Sequence, residues 1–431
     1  MAAKPVAAGV RPKLTPQQRN AFISAFGGWT LDGYNAGLFG VVLAPAMSAL
    51  LPQSGIEVNP GTVGLFGELM VAVFLAGWGC SFIWGPIADK TGRVKALMLS
   101  IIVFSVFTFL AGLSQNVWEL AIFRFLAAVG IGGEWSMAGT FVAESVPEER
   151  RPFFGGFLHA GTYFGFLIAA VVNYFVGVTL GWRWMFFIGI LPALFVFYVR
   201  AKSVESKRWE KVSGNTARVS FWSFFAKVLQ PPYRTRTWGN LLLLVICLMG
   251  FWAGSQYLPT AILTLAKPAG ITGTDAAHLA TLGAVVLDVF TIIGCFLAPY
   301  LANRLGRRRT LVIFFTLMMI GILGGFLWAF YDHGLGAFFA FIPILGLSGA
   351  DFALFTIWLP EQYPTEVRAS AFAFATTFSR FVAAVGTFVI GWAINATHTI
   401  GVPLAWTAAP FLIGIFLTLM VPETKGHRLP D

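Results

Sequence analysis

The chain has 431 residues, 57% of them hydrophobic and only 11% charged, with a formal net charge of +10. Apolar stretches of about 20 residues recur along it, which excludes a soluble globular domain and fits a polytopic, all-α membrane protein. Cys80, Cys247 and Cys295 all lie in apolar runs, so they form neither a disulfide framework nor a metal-ligand set.

A basic tail (Lys4, Arg11, Lys13, Arg19) leads into a first span over residues 20–47, too long for the apolar core of a cleavable signal peptide. Five more spans are predicted over 65–88, 95–113, 117–142, 153–177 and 182–200. The segment from Lys202 to Arg236 is too polar to span and long enough to join two halves. Spans seven to twelve follow over 237–264, 277–300, 310–331, 335–360, 369–394 and 402–420. The expected organisation is an N-terminal six-helix bundle (1–200), a cytoplasmic linker (201–236) and a C-terminal six-helix bundle (237–431), with both termini in the cytoplasm. On that count every Lys and Arg except Arg124, Arg183, Lys267 and Arg380 lies in a tail or an even-numbered loop. This is the positive-inside bias, so the basic excess reports topology and not a nucleic-acid partner.

The two halves repeat one another. Gly85-Pro-Ile-Ala-Asp89-Lys-Thr-Gly92-Arg93-Val-Lys95 is a charged turn between apolar runs, and Pro299-Tyr-Leu-Ala-Asn303-Arg-Leu-Gly306-Arg307 repeats its spacing. Gly85 is expected to let two helix ends approach, and Gly92 to supply the φ > 0 of a helix stop. Glu144-Ser-Val-Pro147 with Arg151 matches Glu361-Gln-Tyr-Pro364 with Arg368 at a shift of 217 residues, which also carries Gly132 onto Gly349 and Glu134 onto Asp351. Duplication of this kind argues for a transporter built around a central site. The glycine clusters near 130 and 346 read as close helix packing, since no strand precedes them to make a nucleotide loop.

These motifs resemble the major facilitator superfamily, whose signature after the second helix stands here as Gly85, Asp89, Gly92, Arg93 and Lys95. Within it the chain is similar to the sugar-porter and metabolite:proton symporter branch. That rests on Arg124 opening the fourth helix, Glu144 with Arg150 and Arg151 after it, Trp182-Arg183-Trp184, Val204-Glu205-Ser206 with Arg208-Trp209, and Pro422-Glu423-Thr424-Lys425-Gly426. The resemblance implies twelve helices in two six-helix bundles that rock about a central site, in a bacterial inner (plasma) membrane. It also implies cytoplasmic latches that close the outward-open state: Asp89, Arg93, Glu144, Arg151, Glu205 and Arg208 in the first half, Arg307, Glu361, Arg368 and Glu423 in the second. Asn303 replaces the family's Asp, so the second latch should hold less tightly.

Ionisable residues within spans cost on the order of 2.5 to 3.5 kcal/mol and should face a cavity or a partner. The candidates are Asp32, Arg124, Glu134, Asp288, Asp351 and Arg380. In proton-coupled sugar porters the position of Asn35 resembles an Asp that pairs with the fourth-helix arginine. Here Asp32 lies three residues earlier on the same helix face. Asp32 is read as the proton site with Arg124 as partner and Glu134 beside them, the alternative being a static ion pair. Arg380 is suited to bidentate capture of a substrate carboxylate, or to a structural pair with Asp288 or Asp351.

The seventh span is expected to break at Gly254-Ser255-Gln256-Tyr257-Leu258-Pro259-Thr260, so that Ser255, Gln256 and Tyr257 line the cavity. The Ser-Gln ahead of Pro-Thr resembles the seventh-helix motif of monocarboxylate and sialic-acid symporters. Tyr34, Asn35, Asp351 and Thr377 complete the candidate substrate residues, and His159 reads as packing. No metal set, cofactor site or activated nucleophile is recognisable, so an enzyme is not expected. The sequence reading is a monomeric, lipid-embedded symporter of a proton and a small organic acid (mono- or aromatic carboxylate, sialate-like). The alternative is a sugar or polyol carrier.

Overall fold

The computed structural model describes residues 13–216, 220–397 and 399–430, apart from some side chains inside the helices. Local sequence decides where helices begin. Thr15 and Gln18 form a reciprocal capping box around Pro16, so the first helix opens with free amides satisfied and its first φ preset. Asn59, Pro60 and Thr62 repeat the device at the second helix. Asn116 caps the Val117 helix by accepting from the Glu119 amide at 2.9 Å. Each such cap stabilises by about 1 kcal/mol.

Among the described residues, twelve helices build the two bundles. In the first half they are α1 (Pro16–Leu50), α2 (Pro60–Cys80, continued by Trp84–Thr91), α3 (Arg93–Gly112), α4 (Val117–Ile131, continued by Glu134–Ser145), α5 (Arg151–Val172) and α6 (Trp182–Ile188 and Leu191–Lys202). In the second half they are α7 (Arg234–Ala266), α8 (Gly273–Leu305), α9 (Arg307–Leu323), α10 (Gly334–Gly349, continued by Asp351–Trp358), α11 (Arg368–Thr397) and α12 (Gly401–Ala405 and Ala409–Leu417). Nine stretches of the described residues are long and apolar enough to cross a membrane, and one of them, Arg307–Gln362, holds both α9 and α10. The 35-residue α1 and the 33-residue α7 complete the set. Two short helices, Lys207–Thr216 and Phe221–Leu229, lie between α6 and α7.

The two six-helix bundles meet along repeat-related seams, α2 against α11 and α5 against α8. Both seams are as close as glycine allows. A Cβ on Gly85 would lie 2.6 Å from the Ser370 Cα, and one on Gly156 would lie 2.4 Å from the Cys295 carbonyl oxygen. Gly85 therefore serves contact between the halves, where the sequence had suggested the local turn. The turns themselves depend on Gly92 and Gly306, whose φ values of 109° and 97° are strained for any residue with a side chain.

Two helices break where the duplication says they should. α4 is interrupted at Gly132-Gly133 and α10 at Ala350, so Glu134 and Asp351 each become the first residue of a half-helix. The expected break in the seventh span is not formed: α7 is continuous with Pro259 inside it. Pro259 removes only the amide that would have reached the Ser255 carbonyl, a loss that neighbouring helices make tolerable in a membrane.

Candidate functional site: central charges and a latch between the halves

At the bundle centre Asp32 on α1, Arg124 and Glu134 on α4, and Arg380 on α11 are all at most 4% exposed. Arg380 lies with its guanidinium carbon 3.9 Å from the Trp78 ring centre and 5.7 Å from that of Trp135. One terminal nitrogen donates to the Thr376 carbonyl of its own helix, while its Nε has no partner. Arg124 is held between the rings of Phe39 and Phe74, at 4.2 and 4.1 Å, and donates to the Asn35 carbonyl at 3.3 Å, again with Nε unpartnered. Aromatic faces stabilise a guanidinium without neutralising it, so both cations keep charge and donors to offer an anion.

The acids are equally under-committed. Glu134 accepts from Ser100 Oγ at 2.8 Å through Oε1, while Oε2 is unpartnered and faces α1 where Gly28 leaves room, a Cβ there falling 3.1 Å from it. Asp32 lies one turn beyond Gly28, within electrostatic range of Glu134, Arg380 and Arg124, and its Oδ1 makes no hydrogen bond. Among the described residues Asp32 forms no direct ion pair with either arginine. The arrangement is a buried set of two cations and two acids, from both halves, held near one another without mutual quenching.

A second set of charges ties the two halves together. Arg93 pairs with Asp89 at 2.9 Å and with both carboxylate oxygens of Glu144, at 3.0 and 3.3 Å. Glu144 also receives Arg368 of the other half at 2.6 Å. Arg93 donates to the Thr365 carbonyl at 2.8 Å, and Asp89 accepts from the Ser370 amide at 2.8 Å and from the Ala369 amide at 3.3 Å at the start of α11. Glu205 caps α3 through the amides of Arg93 and Val94, at 2.9 and 3.1 Å. In the second half Arg307 grips Glu361 at 2.8 and 3.0 Å, and Glu423 caps α9 through the amides of Arg307 and Arg308, at 3.0 and 3.1 Å.

The family model for the Major Facilitator Superfamily matches residues 21–387 and 257–429. The chain belongs to this superfamily. It is a multi-pass integral membrane transporter rather than an enzyme. It is 29% identical over 432 residues to a probable 4-methylmuconolactone transporter of Cupriavidus pinatubonensis, covering 97% of this chain and 93% of the relative. It is 25% identical to a cis,cis-muconate transport protein of Acinetobacter baylyi, covering 94% of each. Among solved structures, the superfamily's proton:xylose symporter XylE bound to 6-bromo-6-deoxy-D-glucose matches with a TM-score of 0.79 at 19% identity, over 96% of this chain and 98% of that one.

Within this superfamily fold, several expected roles land differently. Arg368, assigned to the second latch, crosses to Glu144 of the first, whereas its repeat equivalent Arg151 pairs with Glu148 at 3.4 Å, a residue that also holds Arg208 at 3.2 Å. Tyr34 donates to the Met185 carbonyl at 3.2 Å and so ties α1 to α6. Thr377 donates to the Ala373 carbonyl of its own helix at 2.7 Å. Asn35 donates to the Leu31 carbonyl at 3.0 Å but keeps Oδ1 free. Ser255 and Tyr257 are partly buried, and the Gln256 side chain lies outside the described residues. His159 stacks among Trp29, Trp135 and Phe352, and its Nδ1 lies 3.3 Å from Thr356 Oγ1, which also accepts from Trp135 Nε1 at 2.7 Å.

Sequence reasoning missed Trp78, Trp135, Phe39 and Phe74, the rings that carry the two central arginines. It also missed the C-terminal tail, whose Pro430 carbonyl accepts from Arg368 and whose Leu429 is 4% exposed.

Proposed function

We propose that this chain is a proton-coupled symporter of a small organic acid, working by alternating access with the charged latch on the cytoplasmic side. Arg380, with Arg124 behind it, receives the carboxylate, and Asp32, with Glu134 beside it, carries the proton. Latch closure would leave the centre reachable from the outside only. The observation that supports this best is the retention of free guanidinium and carboxylate atoms at the interface of the halves. Such atoms are costly in a sealed core and useful where a charged passenger visits. The names of the two relatives, built on muconate and a muconolactone, favour the same substrate class.

Counterflow in proteoliposomes with an aromatic carboxylate against a hexose tests the substrate half. Arg380→Ala is expected to lower carboxylate counterflow by about tenfold or more, equivalent to about 1.4 kcal/mol, for loss of a charge-assisted pair. Hexose uptake that is insensitive to Arg380→Ala would reject the anion reading and favour a sugar or polyol carrier.

A further inference from the structure

The duplication leaves one buried acid without a task. Glu134 belongs to the central charge set, but its repeat partner Asp351 stands apart from it in the second half. Asp351 is 0% exposed, and neither carboxylate oxygen makes a hydrogen bond of normal geometry. Its nearest polar neighbours are the Cys247 thiol of α7 and the Phe352 amide of its own half-helix. From the other packed elements, the titratable groups within range are Cys295 of α8 and Tyr163 of α5, and Tyr163 is within range of Asp288 of α8 as well. α9 contributes only Phe314 to this cluster. Among the described residues Asp351 has no ion pair.

A carboxylate buried without a cation, with only a thiol and one amide beside it, is far costlier than the neutral acid. The surroundings fit the neutral form: a thiol, a phenol and apolar side chains. What seals the site is also informative. The half-helix that Asp351 opens packs on α5, an element of the other half. The cover over this acid is therefore made by the contact that must separate when the latch face opens, and Tyr163 and Ala160 of α5 lie in the same apolar cluster as Ala350 and Ala353 of α10.

We propose that Asp351 is a proton-binding site of the C-terminal half, separate from Asp32, that holds its proton while the latch is closed and loses it when α5 withdraws. The step is a plain proton transfer: the carboxyl O–H bond breaks, the proton passes to entering water, and hydration stabilises the carboxylate left behind. This rests on the proton-coupled reading above and adds a second carrier to it.

The test needs no substrate. Infrared difference spectra of the full-length protein in lipid, acid minus alkaline, report the protonated carboxyl C=O stretch. Asp351→Asn is expected to remove one component that Asp32→Asn keeps, and Asp351→Glu to retain it at a shifted frequency. Glu144→Gln, which weakens the latch, should move the titration of that component to lower pH, because water reaches the site more often. Spectra of Asp351→Asn that superimpose on the wild type, or a component that Glu144→Gln leaves unmoved, would overturn the proposal. Failure to transport any carboxylate would count against the symport reading alone, since the infrared result does not depend on it.

Discussion

The two latches have the same parts and different reach. Each has an arginine gripped by both oxygens of a glutamate, Arg93 with Glu144 and Arg307 with Glu361, and each has a second glutamate capping the helix that follows the turn. Among the described residues only the first makes a direct ion pair between the halves, although Arg151 of the first half also lies in the field of Glu361. In the first latch Glu144 takes in Arg368, and Asp89 pins the first amides of α11. At the matching positions Arg151 turns to Glu148, and Asn303 is exposed. The first cluster therefore joins the bundles by a direct ion pair, while the second mainly holds its own bundle's turn together. One lost carboxylate and one redirected arginine give the two copies of the motif different contacts between the halves.

The strongest way to break this comparison is at the glutamates. Glu144→Ala takes the ion pair from buried Arg368 and leaves buried Arg93 with Asp89 alone, whereas Glu361→Ala takes the partner of Arg307 only. Breaking a buried pair costs about 3–5 kcal/mol. Glu144→Ala should therefore lose more thermal stability, and it alone should widen the distance between spin labels at the exposed Lys95 and Arg309. Equal losses, or widening in both variants, would mean that the second latch also bridges the halves.

A smaller effect is expected one helical turn away. Asp89→Asn removes the charge that holds α11 and should cost about 1–3 kcal/mol. The reciprocal Asn303→Asp adds a charge at an exposed position and should change stability by no more than about 1 kcal/mol. Thermal unfolding of both variants in one detergent would decide, and a large gain from Asn303→Asp would show that the second site lacks only its acid.

The smallest difference sharpens the comparison through pH. Burial pushes the Glu205 carboxyl up from its ordinary range. Glu423 pays a burial cost too, but the amides of Arg307, Arg308 and Lys425 outweigh it and hold its carboxyl below that range. A depressed carboxyl stabilises above its unfolded value and loses that contribution as pH falls through the folded one. The deficit of Glu423→Gln should therefore be full at neutral pH and shrink on acidification. For Glu205 the sign reverses: the wild type should gain on Glu205→Gln as pH falls. Parallel pH profiles for the two variants would remove the asymmetry between the caps.

Much of this was legible because charge is scarce in an apolar chain. Arg93 and Arg307 stand out in matching turns after Gly92 and Gly306, and Glu144 and Glu361 stand out in matching Glu-x-x-Pro segments. What spacing does not carry is helix tilt and rotation. The crossing of Arg368 to Glu144 depends on how α11 lies against α4, and the separation of Asp32 from Arg124 depends on the rotation of α1. The rings that carry Arg124 and Arg380 were hidden for another reason. Among 44 Phe and 15 Trp, no pattern marks Phe39, Phe74, Trp78 or Trp135 as different from those that face lipid. The continuous α7 shows the converse, a proline that announces a break the neighbouring helices do not need.

The central claim is that a buried acid at the interface of the halves couples proton movement to substrate movement. Accumulation of an aromatic carboxylate in proteoliposomes under an inward-directed proton gradient tests it most directly. Wild-type protein should concentrate the carboxylate, while Asp32→Asn should still exchange it across the membrane but no longer concentrate it. Gradient-driven accumulation by Asp32→Asn at the wild-type level would contradict the account.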